Sequence, residues 1–158
     1  MAARRYNYSW NASCAASSTL PLIALTSAAT IRPEIYHYTL GSDATPASNA
    51  CKFAWQRHTA AGTPGSSAVA AALQALDPAN AGLSLLASIG LAVFSVGPTL
   101  TANAFTHQVA LNMQATIIVN FNDSQGMIMP ATAANGLSLL PEVATASYNC
   151  VGTVIWSE

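Results

Sequence analysis

Charge is what this chain has least of. Asp, Glu, Lys and Arg make up 7% of its 158 residues, where globular domains carry about 25%. The formal net charge is −1. A basic footprint for nucleic acid or acidic lipid is therefore missing. Cysteine is scarce too. Cys14, Cys51 and Cys150 are odd in number, widely spaced and without a CxxC pair. That argues against a disulfide framework or a zinc site and predicts reduced thiols in or near the core. Long apolar runs are also lacking. The most apolar stretch, Leu83 to Val96, is broken by Ser84, Ser88, Gly90 and Ser95 and is too short to span a bilayer. Arg4-Arg5 leads into Tyr6-Asn7-Tyr8-Ser9-Trp10 rather than an apolar segment, so no secretory leader is read. Without one, the glycosylation-type triplets at Asn11 and Asn122 carry no weight.

Catalytic signatures are missing as well. Gly62-Thr-Pro-Gly-Ser-Ser resembles a phosphate loop in composition but lacks the terminal Gly-Lys-Ser/Thr. There is no GxSxG elbow and no HExxH. His37, His58 and His107 each fall inside a strand pattern, which predicts hydrogen-bonded structural roles. Glu34, Asp43, Asp77, Asp123, Glu142 and Glu158 show no spacing that pairs them, and Asp77 before Pro78 reads as a turn-former. The expectation is a protein that is not an enzyme, with no catalytic residue, cofactor or metal.

What is present is small and uncharged. Ala, Ser, Thr and Asn dominate. A free monomer stays soluble through surface charge, and this chain has little. Such residues suit surfaces that meet other protein closely and lose little side-chain entropy in doing so. The expectation is a surface partly covered in the working state.

Alternation runs through the chain. Tyr6, Tyr8 and Trp10 share one face of a strand over 6–14, and Asn7, Ser9 and Asn11 share the other. Leu20–Thr30 and Ile31–Leu40 follow, with Pro21 pushing the first toward an edge or a strand start and Pro33 demoting part of the second to an edge. Cys51–His58 is a strand in which Phe53, Trp55 and Arg57 oppose Lys52, Gln56 and His58. Residues 59–82 form one long connection. Its Ser67–Leu76 span has helix-forming alanines, while Gly62, Pro64 and Gly65 favour an extended loop, and both readings stand. Leu83–Val96 forms one or two strands bent at Gly90. Phe105–Asn112 and Ala115–Phe121 are strands joined near Met113-Gln114. Asn122–Gly126 reads as a hairpin-like turn and Met127–Met129 as a short apolar piece. Asn135-Gly136 is the strongest tight-turn signal. Thr145–Trp156 is the last strand, with Tyr148, Cys150, Val154 and Trp156 on one face and Gly152 leaving room for a bulge or a ring. Eight or nine short strands with Gly, Pro and Asn turns predict a single all-β domain over 1–158, a β-sandwich or barrel of jelly-roll-like form. Residues 1–12 could extend from it as an arm.

Several short stretches resemble the small β-rich virion proteins of tailed bacteriophages. They are Ala3-Arg4-Arg5-Tyr6, Ile35 to Ser42, Trp55-Gln56-Arg57-His58-Thr59, Gly62 to Gly65, Leu76-Asp77-Pro78 and Cys150 to Glu158. In that group a strand ends in an arginine, a Thr/Gly/Ser-rich loop follows and Leu-Asp-Pro closes it. The chain departs from the group in being less acidic and in its alanine-rich 68–75. The resemblance implies a virion structural role with no catalytic residues to carry over.

The reading is a capsid cement or decoration protein, assembled in the host cytoplasm and located in the virion. It would self-associate, with a trimer expected, and bind the major capsid protein by surface contacts and strand addition. No nucleic-acid or membrane partner is expected. The contact segments are 1–12 and 59–82, through Arg4, Arg5, Tyr6, Tyr8, Arg57, Thr63, Pro64, Leu76 and Asp77. Guanidinium groups pair bidentately with carboxylates, so the arginines are the polar anchors, although Arg57 could instead serve Asp77 or Glu34 internally. The alternative is a receptor- or carbohydrate-binding β-module of a fibre or tail, which would show exposed aromatics. A shell-forming or tail subunit is a further possibility.

Overall fold

Alternation carries directly into the first strand. In β1 (Arg5–Cys14), Tyr6, Tyr8 and Trp10 are buried while Arg5, Ser9 and Asn11 are exposed, as a period of two demands. The computed structural model describes residues 4–14, 20–43, 46–64, 74–77, 88–91, 94–122, 125–144 and 147–158, with backbone alone at 64, 88–91, 143–144 and 148. Beside β1 runs β13 (Tyr148–Ser157), antiparallel from Arg5↔Ser157 to Cys14↔Tyr148. β3 (Glu34–Ser42) pairs with the far side of β13. β10 (Ile117–Asn120) and β11 (Met127–Ile128) follow one another along β3, and residues 121–126 lie between them. β6 (Gln74–Ala75) adds to the other side of β1. The first sheet thus has the order β10-β3-β13-β1-β6.

The second sheet has β2 (Ile23–Thr26), β4 (Ala50–Ala60), β7 (Ser88–Leu91), β9 (Thr99–Asn112) and β12 (Gly136–Ala144) in the order β7-β2-β12-β4-β9. A ribbon of β5 (Thr63–Pro64) and β8 (Phe94–Val96) stands beside it. The long strands pair as a nested set: β1 with β13, β2 with β12, β3 with β10, β4 with β9. That nesting is the winding of a jelly roll. The two antiparallel sheets pack face to face as an open sandwich, not as a closed barrel.

The core lies between the sheets. Trp55, Phe53, Leu137 and Leu139 come from one side, and Trp156, Tyr38, Ile35 and Tyr6 from the other. Tyr38 meets Trp55 edge-on at 5.8 Å, and Tyr6 stacks on Trp156 at 5.9 Å, the offset geometries that ring quadrupoles favour. Gly152 does make room for a ring: a Cβ there would sit 2.2 Å from Trp10 Cζ2.

Several expectations change. Residues 5–12 are not an arm, because β1 is flanked by β13 and β6. The connection after residue 58 is not one loop. Residues 59–60 end β4, and β5 and β6 are strands. Of the possible helix, 67–73 lie outside the described residues, and Gln74–Ala75 is strand. Pro33 does not mark an edge, since β3 is internal and Pro33 precedes it, accepting the Met129 N–H at 2.9 Å. The turn near Asn135-Gly136 sits earlier. Asn135 N bonds Thr132 O at 3.2 Å, and Ala134 takes the positive φ of 68°. This turn crosses between sheets, so the two-residue hairpin geometry of Asn-Gly is not needed. Gly136 serves packing instead, because a Cβ would lie 1.9 Å from Leu25 O. Residues 122–126 are not a hairpin turn either. The strands on either side continue along one edge of β3, and 123–124 lie outside the described residues.

Candidate functional site

The two flanks of the sandwich differ. On one, the connection between β4 and β9 places β6 against β1 and β7 against β2. On the other, β9 and β10 end their sheets with no further strand among the described residues. Between Asp77 and Asp123 the chain has no Asp, Glu, Lys or Arg, so neither edge carries the charge that natural edge strands use against pairing. β9 is bulged near Asn103, whose φ is 57°. From His107 to Asn112 its register with β4 is regular. Along this flank Val109, Leu111, Ile117, Val119 and Phe121 pack on the core but stay partly exposed. Ile118 on β10 is 63% exposed. The result is an uncharged apolar seam between two unpaired edges.

A cleft of about 570 Å³ opens on the same flank, between the sheets. Arg57 reaches it from β4, Arg32 from the segment before β3, and Thr106 from β9. Phe121, Gln125 and Gly126, which fall between β10 and β11 in the chain, line it as well. Two of these residues are tied to β3: Phe121 N bonds Tyr36 O at 2.8 Å, and Gly126 N bonds Glu34 Oε1 at 2.8 Å. Arg57 Nη1 donates to Ile128 O at 3.2 Å. The Thr106 hydroxyl lies 3.2 Å from Trp55 O and 3.4 Å from Met127 Sδ. Neither Arg57 nor Arg32 has a carboxylate partner within ion-pair distance among the described residues. Lys52 does, with Glu142 at 2.6 Å.

The contact residues expected from the sequence fall in three places. Arg4, Arg5, Leu76 and Asp77 lie together at the β1–β6 edge, where Leu76 N bonds Arg5 O at 3.0 Å and the Arg5 guanidinium sits 5.5 Å from the Tyr36 ring centre. Tyr6 and Tyr8, at 1% and 2% exposure, are core residues, so neither side chain is available to a partner in this fold. Thr63 and Pro64 form β5, and Ser95 Oγ donates to Thr63 O at 3.1 Å. Arg57 stands in the cleft, apart from both groups. The sequence reading missed Arg32 and the seam. The uncharged stretch between Asp77 and Asp123 was the available signal, but it does not tell an edge from a centre.

The three histidines do not converge. His37 pairs with Asn120 on the outer face of the first sheet. His58 lies between Ser138 Oγ at 2.8 Å and Thr26 Oγ1 at 3.2 Å, and burial lowers its pKa to about 4. His107 meets Tyr38 and Phe121 edge-on, and burial lowers its pKa as well. Cys14, Cys51 and Cys150 are free thiols and buried. Burial, reinforced by the nearby Cys14, pushes the Cys150 thiol up to about 12. Among the described residues no three of His, Cys, Asp and Glu gather as a metal site would require. No helix there is long and apolar enough to cross a membrane.

No protein-family model, curated protein or solved structure matches this chain.

Proposed function

We propose that this protein is a virion structural protein of the capsid cement or decoration type, which self-associates and stabilises a shell through protein–protein contacts. The observation that carries the reading is the open flank. Two neighbouring edge strands without charge, and a partly exposed apolar seam between them, are what a monomer normally covers or charges. Low overall charge points the same way. The jelly-roll winding is compatible with the role, since virion and lectin domains both use it, but a fold alone does not assign function. Pairing at the edges would use main-chain hydrogen bonds for affinity and the seam for burial. The open flank replaces residues 1–12 as the favoured contact surface, because residues 5–12 are built into the first sheet.

The test is native mass together with co-sedimentation on capsid shells stripped of accessory proteins. A stable small oligomer, with a trimer expected, and saturable shell binding support the proposal. A stable monomer that leaves shells unbound overturns it and turns attention to a glycan screen for the receptor-binding alternative.

A further inference from the structure

We infer that the cleft holding Arg32 and Arg57 is a carboxylate-binding site, filled in the assembled state by an acidic side chain of a neighbouring protein chain. The neighbour's being a protein rests on the function proposed above; the carboxylate chemistry does not.

The chain has five Lys and Arg residues. Lys52 is paired with Glu142, Arg5 lies over Tyr36 and Arg4 is at the β1 edge. The remaining two converge on one cleft. Glu34, whose carboxylate touches the cleft wall, uses Oε1 to hold the Gly126 N–H. That contact secures the wall and makes no ion pair with either arginine. Arg57 is held in place by the Ile128 carbonyl, and among the described residues most of its five donors are left over. A guanidinium fixed in this way loses little freedom on meeting a carboxylate. Phe121, Ile128 and Pro130 line the same space, and such apolar walls strengthen a charge-assisted bond. The cleft opens beside the seam, so a chain segment lying along the seam would bring a side chain to it.

The experiment is a titration of the full chain with N-acetyl-glutamate amide, followed by the arginine Nε–H resonances. N-acetyl-glutamine amide and inorganic phosphate are parallel arms. The expected result is saturable binding with a Kd on the order of millimolar, no response to the glutamine analogue, and about tenfold weaker binding in Arg32→Gln, the loss of one charge-assisted bond. Arg32 is exposed and precedes the strand, so this variant keeps the fold. Equal binding by Arg32→Gln and the parent chain overturns the site, as does binding of phosphate without glutamate. Glutamate binding that appears only in Asp123→Asn overturns the partner reading, because Asp123 would then be the native occupant. Shell co-sedimentation separates the two proposals. If the parent chain binds shells and Arg32→Gln binds equally, the carboxylate partner fails while the cement role stands. If the parent chain does not bind shells, the cement role fails, and the titration still decides whether the cleft takes a carboxylate.

Discussion

His58 shows how a single residue couples burial to pH. Its ring is 1% exposed, with a hydroxyl at each nitrogen. A neutral imidazole donates from one nitrogen and accepts at the other, and hydroxyls can satisfy both. Its folded pKa of about 4 lies below the ordinary value near 6.5. The unfolded chain therefore takes up the proton first as pH falls. Stability is expected to hold above about pH 6.5 and to decline toward pH 4, by roughly 3 kcal/mol in all. His107 is shifted in the same direction and adds to the trend. Urea midpoints at pH 7.0, 5.5 and 4.5 check this, and His58→Gln should flatten most of the slope. A midpoint independent of pH would contradict it. Gly152 makes a steric prediction. Gly152→Ala must displace the Trp10 ring and the Thr39 carbonyl, which overpacking data place at about 3 kcal/mol or somewhat below. Thermal denaturation should show a lowered Tm, with Trp10→Leu partly restoring it. The role of Gly152 was legible because glycine interrupted a strong aromatic alternation. Gly136 was not, because its constraint is a carbonyl on a strand far away in sequence.

At the scale of elements, the strands with one wet face were readable and those without were not. β1 and β13 alternate cleanly, and their positions were evident. β12 was not assigned from sequence. Leu137, Ser138, Leu139, Leu140 and Pro141 are all buried, so no alternation marks them, as for strands covered on both faces. Proline is also disfavoured in a central strand, yet Pro141 lies in one. It is tolerated because β2 pairs only with residues 136–139 of β12, and a bulge follows between Pro141 and Val143, the positions where proline does not break a ladder. β9 and β10 were expected as strands, but nothing local says that both end their sheets on the same flank. Their exposed positions make a direct test of self-association. Ala110→Lys combined with Ile118→Lys places a charge on each edge strand without touching the core. Native mass should fall to that of a monomer while the far-ultraviolet circular dichroism is unchanged. An unaltered oligomer would mean that association uses another surface.

For the whole molecule, the nested pairing brings distant segments into one core: β1 with β13, β2 with β12. Cys14, Cys51 and Cys150 are buried there at 0–2% exposure. Their reactivity should therefore report on unfolding of the sandwich. The native chain is expected to show no thiols to an aromatic disulfide reagent within minutes and all three in denaturant. One fast-reacting thiol in the native chain would mean that part of the core opens locally. From its residues alone, this chain was bound to be all-β, poor in charge and free of local catalytic motifs. Those properties depend on period, composition and short spacings, which are local. Tertiary structure decided the rest: that Tyr6 and Tyr8 are core, that Arg57 joins Arg32 rather than Asp77, and that, among the described residues, one flank is capped while the other stays open. Each depends on which strand lies beside which, a choice set by packing across the whole sandwich.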